Sequence, residues 1–102
     1  MEGFHDRMVR VDVGAGTSSE EHSRNALPGG VLGGKALAVR LLLADNPPQV
    51  DPLGPENLLI FANGPLSGSP VWGCCRHGVY TKSPQTGFFS ESYAGGTVSE
   101  YM

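Results

Sequence analysis

A chain of 102 residues with fifteen glycines and eight prolines holds one domain or part of one, and a little under a quarter of it adds little or nothing to a core. At 39 % apolar and 17 % charged residues it is too apolar for a solvating disordered tail and too poor in helix formers for a bundle or coiled coil. Seven Lys and Arg against ten Asp and Glu give a net charge of −3, and the basic residues, scattered from Arg7 to Lys82, form no stripe that would displace counterions from nucleic acid.

In chain order, Val9, Val11 and Val13 alternate with Arg10 and Asp12, which predicts a half-buried strand ended by Gly14-Ala15-Gly16. Thr17 to Arg24 is polar. Ser18 and Glu21 have capping-box spacing, so a short helix is expected there, stopped by Pro28-Gly29-Gly30. Leu32 to Ala44 is the clear helix. Leu37, Leu41 and Ala44 form its stripe, widened by Ala38 and Leu42, and Asn46-Pro47-Pro48 ends it. Gly33-Gly34 at its start either lets backbone N–H groups approach a phosphate or simply loosens the helix start.

Asp51 to Asn57 is a proline-stiffened turn, and Leu58 to Ala62 reads as a strand buried on both faces. After a Gly-, Ser- and Pro-rich loop, His77 to Lys82 reads as another strand, and Ser90 to Gly96 as a polar loop. Mixed strands and helix give an α+β fold with a thin core. There is no basic-then-apolar leader, and the apolar run Leu41 to Ala44 is far short of the roughly 18 residues that span a bilayer, so a soluble cytoplasmic protein is expected. Cys74 and Cys75 are neighbours, closing no loop and unable alone to fill a zinc or iron–sulfur site. His5, His22 and His77 lack metal-ligand spacing and read as structural or exposed.

Four features occur in a specific order. They are Asp51-Pro52-Leu53-Gly54-Pro55-Glu56-Asn57 with Leu59-Ile60-Phe61-Ala62, then Gly64-Pro65-Leu66-Ser67-Gly68-Ser69, then Arg76, then Thr81-Lys82-Ser83-Pro84-Gln85-Thr86-Gly87 with Gly95-Gly96. Together they resemble the N-terminal domain of the aldehyde ferredoxin oxidoreductase family, over roughly residues 7–96. The resemblance implies the mixed sheet-and-helix fold of that domain. It makes residues 1–102 the N-terminal portion of a bis-pterin cofactor-binding domain, truncated on its C-terminal side.

The implied cofactor is a tungsten or molybdenum bis-pterin with Mg²⁺, and a [4Fe–4S] cluster whose ligands this chain lacks. The implied chemistry oxidises aldehydes to carboxylic acids, with ferredoxin taking the electrons. Partners would be ferredoxin and the missing C-terminal part or a second chain; a homodimer is compatible, and neither nucleic acid nor membrane is implied. The resemblance assigns Arg76, Tyr93, Ala94, Gly95 and Gly96 to the cofactor, with Tyr93 also at the magnesium. Tyr93 stands where the family favours asparagine, which leaves its backbone carbonyl for the metal. Physically, a guanidinium suits phosphate or thiolate-like sulfur, and adjacent glycines let backbone N–H groups approach an anion. Lys82 either adds long-range attraction or ends its strand in solvent. No residue here is assigned to catalysis, so the chain alone is expected to be inactive. A non-catalytic phosphate- or pterin-binding module and a decayed, inactive fragment remain open beside the enzyme reading.

Overall fold

The computed structural model describes residues 6–22 and 30–102. Strand β1, Met8–Asp12, pairs antiparallel with β2, Thr17–Glu21, with Met8 opposite Glu21 and Asp12 opposite Thr17. At the turn, Asp12 Oδ1 accepts the Ala15 N–H at 3.0 Å. The helix expected from Ser18 is therefore a strand over 17–21. A capping box offers two local hydrogen bonds, whereas the hairpin pairs all five residues and adds the Arg7–Glu20 and Arg10–Glu21 ion pairs at 2.7 and 3.4 Å. The stop at Pro28-Gly29 and His5 lie outside the described residues. β1 sits where the alternation placed it but is not half-buried: Val9 and Val11 are both exposed.

Helix α1, Gly34–Asp45, starts two residues later than the pattern suggested and ends at an extended Asn46, as Pro47 requires. Strands β3 (Ile60–Asn63), β4 (His77–Lys82) and β5 (Phe89–Ala94) form an antiparallel sheet in that order. Two expectations change here. Leu58–Ala62 is not buried on both faces, because β3 is an edge strand with only one face on the helix, and Phe61 stays 58 % exposed. The loop expected over Ser90–Gly96 is strand as far as Ala94; β4 supplies its ladder despite its polar composition.

The core lies where α1 crosses β3 and β4. Ala38, Ala62 and Tyr80 are buried, with Leu42 and Ile60 packed against them. The contact face of the helix is thus Ala38 and Leu42; Leu37 and Leu41 flank it half-buried and Ala44 is exposed. Ala38 has no side-chain bulk beyond Cβ, which lets the helix approach the sheet closely. Tyr80 lies over Gly78, two residues earlier on the same face, and any Cβ at that position would collide with the phenol ring.

The proline-rich turn is latched to β4. Asn57 Nδ2 lies 2.9 Å from the Pro52 carbonyl and 3.1 Å from both Thr81 Oγ1 and the Lys82 carbonyl. Thr81 Oγ1 donates to the Leu58 carbonyl at 2.7 Å. Asn46 accepts from the Leu58 N–H and donates to Asn57 Oδ1. These bonds satisfy backbone groups that half-buried irregular chain would otherwise leave unpaired. The hairpin is tied to α1 by the Arg10–Asp45 ion pair at 2.7 Å.

Candidate functional site: an arginine beside a glycine ledge

The β4–β5 register sets His77 opposite Ala94 and Gly78 opposite Tyr93. Arg76, just before β4, therefore meets Gly95, just after β5; a Cβ on Gly95 would lie 4.0 Å from the Cys75 carbonyl oxygen. Sequence positions nineteen apart thus share one end of the sheet. Arg76 is exposed, and its guanidinium has no hydrogen-bond or ion-pair partner among the described residues. Ala94, Gly95 and Gly96 are exposed as well. Gly96 has φ 106°, a left-handed conformation that disfavours any other residue, and nothing lies within 4 Å of where its Cβ would be. An exposed arginine whose backbone adjoins open glycine backbone has the chemistry to take an anionic group.

Tyr93 reaches the ledge differently. Its direct opposite, Gly78, and the neighbouring pair Tyr80–Glu91 place its side chain on the helix-facing side of the sheet. There its hydroxyl donates to Glu91 Oε2 at 3.0 Å, and its ring meets Tyr80 edge-on with centroids 6.0 Å apart. Glu91 also pairs with Lys35 of α1 at 2.9 Å. The lysine, and next the burial cost that opposes it, leave the Glu91 carboxyl below the ordinary carboxylate value. The phenol of Tyr93 is thus engaged with Glu91 and Tyr80.

Other readings resolve. Lys82 does not point to the ledge: its Nζ donates to the Val50 carbonyl at 2.6 Å, part of the latch. Gly33, with φ 119°, belongs to packing, since a Cβ there would sit 3.0 Å from the Asn63 carbonyl oxygen at the end of β3. Cys74 and Cys75 are half-buried free thiols. Sequence reasoning passed over Lys35, Glu91, Gly78 and Ser99. Only the strand assignment of 89–94, which puts Phe89, Glu91 and Tyr93 on one face, could have flagged the first two. His77 is half-buried, with Nδ1 lacking a hydrogen-bond partner among the described residues. The ledge is an open surface. A hollow of about 540 Å³ beside Met8, Leu37 and Tyr101, and an apolar one of about 330 Å³ beside Val11, Leu41 and Phe61, include none of the five assigned residues.

Fold and ledge define a class: an α+β unit with a small core that presents an arginine, unpaired among the described residues, next to a glycine edge. The family profile described as "Aldehyde ferredoxin oxidoreductase, N-terminal domain" matches residues 8–102, and the chain belongs to that family. It is 43 % identical over 96 residues to the tungsten-containing aldehyde ferredoxin oxidoreductases of Thermococcus kodakarensis and Pyrococcus furiosus, matching 94 % of this chain and 16 % of each of those. Among solved structures it resembles the active site complex BamBC of benzoyl coenzyme A reductase in complex with 1,5-dienoyl-CoA. There the TM-score is 0.85 and the identity 34 %, over 97 % of this chain and 15 % of that one. The chain therefore spans about a sixth of the length of the relatives it matches. Among the described residues, no helix is long and apolar enough to cross a membrane.

Proposed function

We propose that this chain is the N-terminal cofactor cradle of a tungsten- or molybdenum-pterin oxidoreductase that oxidises aldehydes to carboxylic acids and passes electrons to ferredoxin. The observation that supports it most is the ledge, where an arginine whose side chain has no partner among the described residues adjoins two exposed glycines inside a chain of this family. The bound metal pterin would supply the two-electron chemistry. Arg76 would pair with its anionic edge, and the backbone of Ala94, Gly95 and Gly96 would donate N–H groups to phosphate. The Tyr93 carbonyl would face the accompanying Mg²⁺, a hard cation that takes oxygen ligands. The phenol of Tyr93, held by Glu91, leaves that side of the ledge clear.

The remaining functions fall to polypeptide of the family length beyond this span, in the same chain or a second one. Adjacent Cys74 and Cys75 cannot ligate a [4Fe–4S] cluster by themselves. Ferredoxin as acceptor and a homodimeric assembly belong to the same proposal. The solved relative is a reductase complex, but the higher identity to the aldehyde enzymes favours aldehyde oxidation. The test is to produce the chain together with the remaining family-length polypeptide, then measure tungsten and molybdenum by mass spectrometry and aldehyde-dependent viologen reduction. Metal bound with turnover is the expected result. A metal-free product overturns the cofactor reading, and a metal-loaded protein inert to aldehydes overturns the substrate.

A further inference from the structure

The ledge has few holds of its own. Among the described residues, β5 pairs only with β4. Beyond it, a Cβ on Gly95 would meet only the Cys75 carbonyl oxygen, and one on Gly96 would meet nothing within 4 Å among the described residues. Ala94 is held opposite His77 by the β4 ladder, but Gly95 and Gly96 lie past its end and carry no side chain, so their position depends on what grips the chain at either end. On the far end the grip is buried Ser99. Its hydroxyl donates to the Gly96 carbonyl at 3.3 Å, and its own carbonyl accepts from Asn63 Nδ2 at 2.9 Å. On the near end the last side chain with any tertiary partner is Tyr93, linked through Glu91 to Lys35 in the first turn of α1.

We propose that Tyr93 is a positioning residue: its phenol, tethered by Glu91 and Lys35 and seated edge-on against Tyr80, steadies the end of β5 and so sets the backbone of Gly95 and Gly96 relative to Arg76. This rests on the reading of the ledge as an anion-binding edge and adds to it the device that aims it. The tether joins the ledge to the helix and not merely to its neighbouring strand, because Lys35 Nζ lies 2.9 Å from Glu91 Oε2 and 5.9 Å from the Phe89 ring centroid. Tyr80, 1 % exposed and seated over Gly78, gives the Tyr93 ring a buried backstop. An anion that must touch both a guanidinium and backbone N–H groups is sensitive to their spacing. A ledge free to drift would lose part of its affinity with no contact group removed.

Inorganic phosphate serves as the probe, titrated calorimetrically into the chain joined to the remaining family-length polypeptide, prepared without metal or pterin, and into four variants of it, with amide exchange followed in parallel. Arg76→Ala is expected to lower phosphate affinity about tenfold or more. Tyr93→Phe keeps the ring and removes only the tether; it is expected to lower affinity roughly three- to tenfold and to speed amide exchange at Gly95 and Gly96 but not in β4. Glu91→Gln still accepts from the hydroxyl and should retain most of the affinity. In the Arg76→Ala background, Tyr93→Phe should cost little more, since the two act on one contact. A purely structural tyrosine would lower the melting temperature and leave phosphate affinity of the folded protein unchanged. Loss of affinity in Arg76→Ala with wild-type affinity and exchange in Tyr93→Phe overturns the positioning role and leaves the ledge reading standing. Unchanged affinity in Arg76→Ala overturns the ledge reading itself, and the positioning role with it.

Discussion

Gly78 carries more of this fold than its lack of a side chain suggests. The Tyr80 ring occupies the space where a Cβ would go, and with Tyr80 only 1 % exposed the ring has nowhere to swing. Gly78→Ala is therefore expected to destabilise the fold by about 1–3 kcal/mol, the usual cost of overpacking, read as a lower urea midpoint in the chain joined to the remaining family-length polypeptide. Gly73→Ala gives a contrast: its φ of 78° strains any side chain, but nothing lies within 4 Å, so its effect is conformational only. Burial, and next its neighbour Tyr93, push the Tyr80 phenol from 10.0 up to about 12. A raised pKa means the fold prefers the neutral phenol. That stabilisation is complete below pH 10 and is lost as pH rises from there towards about 12. An alkaline titration followed at the phenolate absorbance should show ionisation of Tyr80 coinciding with loss of tertiary signal; Tyr80 titrating freely near pH 10 with the fold intact would contradict its burial. At this scale the sequence was half legible. Arg76 and Gly95-Gly96 stood out as an arginine and a glycine pair, but their meeting depends on strand register. The engagement of the Tyr93 phenol with Glu91 depends on a strand read as a loop.

Elements differ in how plainly they announce themselves. α1 and β4 were readable because each pairs an apolar period with a hard stop, Asn46-Pro47 for the helix and Ser83-Pro84 for the strand. β2 and β5 were not. Both are polar enough to pass for helix start or loop, and each is a strand because a neighbouring ladder, set by long-range contacts, overrides local preference. The ordered motif carries another lesson. Asn57, Thr81 and Lys82, all within the segments that resemble the family, form the latch that pins the proline-rich turn to β4, while Arg76 and the glycines form the ledge. A family motif thus mixes scaffold with site, and only geometry separates them. Asn57→Ala would strip three acceptors of their donor, and is expected to cost about 1–3 kcal/mol of stability. Because the latch lies at the far end of β4 from Arg76, phosphate binding by the folded fraction should be unchanged. Chemical denaturation beside phosphate calorimetry, on the chain joined to the remaining family-length polypeptide, checks both, and a loss of affinity without a loss of stability would place Asn57 in the site instead.

The whole molecule shows more surface than a self-sufficient domain of its size. Its accessible area is 7314 Å² for 10.7 kDa, whereas a compact monomer of that mass exposes roughly 5,500 Å². The Cα radius of gyration, 14.0 Å, likewise exceeds the roughly 12.8 Å of a compact chain of this length. Much of that exposure is apolar: Val9, Val11, Leu43, Leu59, Phe61, Trp72 and Phe88 are each more than half exposed. Glycine and proline content made a thin core foreseeable, yet composition could not locate the bare faces. The excess is larger than the roughly 800 Å² that one partner buries in a standard interface, so a single ordinary docking contact would not cover it. Covering it calls for a domain-sized neighbour, and relatives about six times as long have the polypeptide to provide one. The isolated 102-residue chain should accordingly bind a hydrophobic dye and self-associate as concentration rises, and melt without a sharp cooperative transition. Joined to the remaining family-length polypeptide, the same residues should lose dye binding and melt as part of one cooperative unit. If the isolated chain stays monomeric and dye-free and melts sharply, the bare faces are compatible with water and this unit stands on its own.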